Sequence, residues 1–154
     1  VIAIADDLMR AIHAHAARTY PHECCGAMLG REAADGVRVV DALHEADNRR
    51  EADAAPRRFL ISADDYRAIE RAARDRSLDV LGFYHSHPDH PALPSHYDRE
   101  HAFPWYSYVI VSVQDGVAGT TTSWILDDDR TAFTSEPIVS AHPAAGQARA
   151  TEQG

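Results

Sequence analysis

The sequence predicts a single mixed α/β domain, and three observations carry that reading. Stretches with a four-residue apolar rhythm alternate along the chain with short runs rich in β-branched and aromatic residues, so helices and strands are interleaved. A length of 154 residues with 45% hydrophobic content suffices for one substantial core, and nothing suggests a second domain. The only cysteines, Cys24 and Cys25, are neighbours and cannot staple distant parts of the chain, so the core itself must hold the domain together.

Charge narrows the function classes. A formal net charge of −9 argues against a nucleic-acid binder, because contact with phosphates normally needs a basic face. The opening residues, Val1 to Asp7, lack a basic segment followed by a long apolar one, and no later run reaches the length of a membrane span. These features predict a cytoplasmic protein without membrane association.

Each element follows from local pattern. Asp6 to Arg18 favours helix, with Leu8, Ile12 and Ala16 on one face; His13 and His15 on this helix are expected at the surface or boundary. Tyr20-Pro21-His22 stops it, since the residue before proline avoids the α region. Glu23 to Gly30 reads as a buried strand, and Val37 to Leu43, after the turn residues Asp35-Gly36, as its hairpin partner. Asp47 to Arg58 is a polar surface loop, whose Arg49, Arg50, Arg57 and Arg58 are read first as solvated charge and alternatively as a docking patch for an acidic partner. Phe59 to Ile61 is a short strand, and Ser62 caps a helix through Arg76 that turns Tyr66, Ile69 and Ala73 inward. Leu78 to His87 is the next strand. Ser95 to Phe103 forms a short helix ended by Pro104, and Tyr106 to Val113 is a strand. Gln114-Asp115-Gly116 turns the chain into a further strand, Thr120 to Leu126, and a last strand lies near Arg130 to Val139. The domain therefore spans residues 1–140, and 141–154 is expected to be a disordered tail.

The stretch His85-Ser86-His87-Pro88, with Asp98 beyond a proline-rich bend, stands out chemically. In an extended strand, His85 and His87 share one face, about 7 Å apart, while Ser86 points the other way. Two imidazoles and one carboxylate suit zinc and leave a fourth position open, the pattern of a catalytic site. A structural reading stands beside it: the histidines could be hydrogen-bonded boundary residues. Ser95-His96-Tyr97-Asp98 has the form of a capping box, in which Asp98 merely stabilises a helix start. Other zinc patterns are absent. Neither His22-Glu23 nor His44-Glu45 begins a thermolysin-type motif, and the adjacent cysteines do not form the Pro-Cys-x-x-Cys of base deaminases. Cysteine catalysis, with His22 nearby, is disfavoured because thiols inside an apolar strand are usually inert.

Taken together, His85-Ser86-His87-Pro88, Ser95, Asp98 and the upstream Glu23-Cys24-Cys25-Gly26 resemble the JAMM or MPN-plus family of zinc metalloproteases. The resemblance extends from about Asp6 to Val139. It is closest to small stand-alone bacterial members, including at Phe59-Leu60-Ile61-Ser62 and Pro104-Trp105-Tyr106-Ser107-Tyr108. The metal motif shows no departure from the family's pattern.

The resemblance implies a cytidine-deaminase-like α/β domain, a curved mixed sheet flanked by helices with the metal at one edge. It assigns His85, His87 and Asp98 to Zn²⁺, Glu23 to the role of general base, and Ser95 to that of oxyanion donor. Spacing alone does not select Glu23 among the acidic residues. The implied reaction is hydrolysis of a peptide or isopeptide bond after the C-terminal Gly-Gly of a ubiquitin-like sulfur-carrier protein, releasing cysteine or maturing the carrier. A non-catalytic MPN-type scaffold or binding module is the alternative, and the full set of five residues counts against it.

Overall fold

The computed structural model describes residues 1–47 and 61–140. The arginine-bearing loop, the start of the strand expected at Phe59 and the expected tail lie outside these residues. Along the chain, β1 (Ile2–Ala3) leads into α1 (Asp6–Thr19), and β2 (Cys25–Glu32) turns into β3 (Arg38–Ala46). Next, α2 (Ala63–Asp75) runs into β4 (Asp79–Pro88), and the short α3 (His96–His101) follows. A second hairpin, β5 (Ser107–Gln114) and β6 (Val117–Leu126), precedes β7 (Phe133–Glu136) and β8 (Ile138–Val139).

Local chemistry explains most boundaries. Ser62 caps α2 by accepting from the Asp65 amide at 3.1 Å, as expected. Between β5 and β6, Asp115 and Gly116 both have positive φ, 48° and 82°, which suits a tight two-residue hairpin turn. One expectation needed correction, and one strand was not foreseen. The single strand expected near 130–139 is two strands, because Pro137 has no amide to donate to a ladder. The two-residue β1 was too short to show a pattern in sequence.

All strands join one mixed sheet in the order β7-β6-β5-β4-β2-β3-β1-β8. Its two outer strands, β7 and β8, are separated in the chain by Pro137 alone. The margins of the sheet must therefore meet, and the Ile2 amide donates to the Pro137 carbonyl at 3.0 Å where they do. The sheet is consequently curled almost closed. Ile12 and Ala16 of α1 cover one face with Met28, Val109 and Val111. Ile69 and Ala73 of α2 cover the other with Ala27, Leu29 and Phe83. The expected architecture, a curved mixed sheet flanked by helices, is the one the chain adopts.

Strand β4 lies in the middle, parallel to β5 and antiparallel to β2, and is buried from Leu81 through Pro88. Its pairing with β2 slips between Met28 and Leu29, so that Met28 faces Gly82 and Leu29 faces Val80. This bulge re-phases the alternation: Leu81 packs on the α1 side, whereas Phe83, two residues on, packs on the α2 side. His85 and His87 continue the row begun by Phe83. Close backbone approach explains Gly82, where a Cβ would run into the Ser107 backbone of β5.

His15 is not at the surface. It is 4% exposed, and its Nδ1 lies 2.7 Å from the hydroxyl of buried Tyr84, linking α1 to β4. Among the described residues, no helix is long and apolar enough to cross a membrane.

Gly82→Ala should cost about 1–3 kcal/mol by overpacking β4 against β5, read as a lower urea midpoint with unchanged slope. Burial lowers the pKa of His15, against a raising influence from Glu45. Below about pH 6.5 the unfolded chain therefore takes up a proton that the folded one resists, and stability falls with acidification. His15→Phe should flatten that acid-side slope in thermal melts between about pH 7 and 5; a slope equal to the parent's would assign the effect elsewhere.

Candidate metal centre

Strand β4 delivers both histidines, and α3 delivers the carboxylate. His85 and His87 leave the same face of the strand, as the spacing predicts, and their Nε2 atoms lie 3.1 Å apart. Asp98 reaches them from the first turn of α3, with Oδ1 3.2 Å from His85 Nε2 and Oδ2 3.2 Å from His87 Nε2. The side chains are 1%, 9% and 8% exposed respectively, so water does little to screen them. The cluster stands at the end of a central strand rather than along a lateral edge of the sheet.

The proline-rich bend orients one ligand. His87 Nδ1 lies 2.9 Å from the Pro91 carbonyl, which can only accept, so Nδ1 carries the proton and Nε2 presents its lone pair to the cluster. This is the orientation that a histidine ligand to a metal needs. The His87 Nε2 lone pair and the Asp98 carboxylate, packed out of water, repel each other unless a proton or a cation lies between them. Protonation meets that need in part. Burial disfavours the charged form of His87, but Asp98 and the Pro91 carbonyl outweigh it and raise its pKa. For Asp98 burial works upward, yet the two histidines and the Ser95 amide hold the carboxyl well below the usual range. Among the described residues these three are the group of donors close enough together to hold a metal ion, their ligand atoms all lying within 4.8 Å of one another. The donor set fits a divalent metal.

The capping box is real, and it does not compete with the cluster. Ser95 Oγ accepts from the Asp98 amide at 3.0 Å, and Asp98 Oδ2 accepts from the Ser95 amide at 2.8 Å. The same carboxylate thus starts α3 and faces the histidines. The Ser95 hydroxyl accepts in this cap and keeps its own proton to donate elsewhere.

Glu23 lies two residues before the start of β2 and is 5% exposed. Cys25 pairs with His85 across β2 and β4, and Cys24 bonds Ser86, so the chain enters β2 beside the histidine-bearing end of β4. Glu23, His87 and Ser95 line one cavity of about 410 Å³ with His90, Pro91 and Leu93. On the other side of the cluster, His85 and Asp98 border a larger cavity of about 570 Å³ walled by Tyr66, Phe83, Tyr97, Phe103, Trp105, Tyr106 and Tyr108. This aromatic wall was not singled out from sequence. The signal was present in the density of rings between Tyr97 and Tyr108, but their shared direction is set only by packing. The orienting carbonyl of Pro91 was equally invisible, since any residue carries one.

This constellation on this fold has relatives. Residues 5–127 match the family described as prokaryotic homologs of the JAB domain. The chain belongs to the prokaryotic JAB family. Within it, a desampylase of Haloferax volcanii is 35% identical over 135 residues, covering 84% of this chain and 91% of that protein. A CysO-cysteine peptidase of Mycobacterium tuberculosis is 30% identical over 139 residues, 90% of each chain. Among solved structures, a protein from Salinibacter ruber is 48% identical with a TM-score of 0.73, covering 93% of this chain and 94% of that one. A JAB1/MPN domain protein from Archaeoglobus fulgidus, 16% identical with a TM-score of 0.56 over 92% of this chain and 98% of that one, shares the fold. Membership makes the chain a hydrolase of the JAB peptidase class, as its named relatives are.

Ser95→Ala should lower stability by about 1 kcal/mol through loss of the α3 cap, measured by thermal melting of the ion-free protein. Because a bound metal must displace a proton from His87, affinity for a divalent metal should fall as the pH drops below that residue's raised pKa. Titration calorimetry at several pH values tests this, and a pH-independent affinity would contradict it.

Proposed function

We propose that the chain is a zinc-dependent peptidase that cleaves after the C-terminal Gly-Gly of a ubiquitin-like sulfur-carrier protein, freeing cysteine, a conjugated partner or a trimmed carrier. The observation that carries this reading is the meeting of three elements: a buried His85–His87–Asp98 cluster, with Glu23 and Ser95 on the wall of the cavity beside it. The names of the two peptidase relatives support it, one a desampylase and the other a CysO-cysteine peptidase.

In this reading His85, His87 and Asp98 hold Zn²⁺. The ion, when bound, acidifies water to a pKa of about 7 and polarises a carbonyl as a Lewis acid. The remaining work falls to the chain. Glu23, on the cavity it shares with His87 and shielded from solvent, takes a proton from the attacking water and passes it to the leaving amine nitrogen. Ser95 donates its hydroxyl proton to the oxygen of the scissile carbonyl as negative charge develops there. The aromatic cavity beside His85 and Asp98 has room for the side chains of carrier residues before the tail. Glycines at the tail itself let its backbone approach the buried cluster closely. Both thiols are free, which agrees with a reducing, cytoplasmic setting.

Metal analysis and turnover together test the assignment. His87→Ala or Asp98→Ala should bring bound zinc well below one ion per chain. Glu23→Gln should keep the zinc and lower kcat by at least about a hundredfold on a carrier bearing a short peptide after Gly-Gly. Loss of zinc from Glu23→Gln would make Glu23 a ligand. Full zinc with no cleavage of any Gly-Gly fusion by the parent protein would reduce the domain to a scaffold.

A further inference from the structure

Ser86 sits between the two candidate ligands on β4 but faces the opposite way, and it is fully buried. A hydroxyl there is costly unless it is bonded, and alanine would fill the position without that cost. The bonds it makes converge on one residue. Ser86 Oγ accepts from the Cys24 amide at 2.8 Å, while the Ser86 amide donates to the Cys24 carbonyl at 3.2 Å. Burial pushes the Cys24 thiol up to about 11, and a bond from the Ser86 hydroxyl acts against that rise. Residue 86 therefore grips Cys24 by its amide and its carbonyl.

The grip falls where the sheet stops helping. Strand β2 begins at Cys25, so Glu23 lies beyond the regular ladder. The Cys24 nitrogen belongs to the same planar peptide unit as the Glu23 carbonyl. Holding that nitrogen fixes the plane from which the Glu23 side chain departs. Without the hydroxyl, the Cys24 nitrogen loses this bond and the plane of the Glu23–Cys24 peptide is held less firmly. A carboxylate displaced by about 1 Å is a poor base, because misplacement on this scale can cost about a hundredfold in rate.

We propose that Ser86 is a positioning residue whose hydroxyl, clamped on Cys24, keeps the Glu23 carboxylate facing the cavity it shares with His87 and Ser95. This rests on the reading of Glu23 as the general base. Ser86 touches no substrate and acts through Glu23 alone.

The test compares Ser86→Ala and Ser86→Thr, each alone and combined with Glu23→Gln. Rates are taken with enzyme in excess on the same Gly-Gly carrier–peptide fusion, alongside zinc content and the exchange rate of the Cys24 amide. Ser86→Ala should retain one zinc per chain, keep KM within about twofold, lower kcat about tenfold to a hundredfold and speed exchange of the Cys24 amide. Ser86→Thr, which keeps the hydroxyl, should restore both slow exchange and most of the turnover. In the Glu23→Gln background Ser86→Ala should cost nothing further, since the group it positions is gone. An equal loss in both backgrounds, loss of zinc, or a Cys24 amide still protected in Ser86→Ala would overturn the clamp. If Ser86→Ala does not fold, a Ser86→Thr variant with fast Cys24 exchange or little turnover overturns it as well. Full turnover in Glu23→Gln, by contrast, removes the base assignment, and the exchange measurement then still decides whether Ser86 holds Cys24.

Discussion

The chemistry of this domain depends on the antiparallel seating of β2 on β4. That pairing sets Cys25 beside His85 and brings the residue two before it, Glu23, to the cavity that His87 also lines. Two histidines on one strand can bring imidazoles together unaided. The proposed base and the candidate metal site, however, come from different segments, because no single strand can direct three groups at one point from one face. The bulge opposite Met28 and Leu29 makes the seating work, re-phasing β4 so that Phe83, His85 and His87 share the α2 side of the sheet. Were the register slipped by one residue, the histidines would point into the apolar layer beneath α1.

Burial gives the seating its energetic consequence. Within the cluster, nitrogen and oxygen donors stand 3.1 to 3.2 Å apart with little exposure, a concentration of negative potential that calls for a cation. Asp98 tolerates this position because its charge does several things at once: it accepts from the Ser95 amide, opens α3 and faces both histidines. Helix capping and ligand placement thus share one carboxylate, so the short α3 is set relative to β4 by the site itself.

Curvature of the sheet frames the site. The chain passes from one outer strand to the other across Pro137, which forces the margins together and leaves the central strands wrapped between α1 and α2. The cluster then stands at the end of a strand that is buried on both faces, between a smaller cavity lined by Glu23 and Ser95 and a larger aromatic one. Tyr84 and His15 tie α1 to this same strand from behind. Rigidity at β4 is therefore supplied from both faces and both neighbouring strands, which suits ligands that must keep a fixed geometry.

Much of this was legible in the chain because it rests on local chemistry. The face shared by His85 and His87 follows from the two-residue period of a strand, the cap at Ser95 from a four-residue spacing, and the turn at Asp115-Gly116 from backbone freedom. What lay beyond reach involved partners distant in sequence. His15 sits on a helix whose pattern says surface, yet Tyr84, 69 residues away, draws it into the core. The split at Pro137 shows where two sheet margins meet, and no local pattern encodes such a meeting. Glu23 is one acidic residue among many in sequence, distinguished there by family resemblance alone. The sequence by itself determined the residue types of the candidate metal site, their spacing and the elements that carry them, since these depend on covalent neighbours. Only the tertiary structure decided that Glu23 shares a cavity with His87, that Ser86 grips Cys24 and that seven aromatic rings wall one cavity. Those are outcomes of strand register and packing, which arise from contacts between residues the chain keeps far apart.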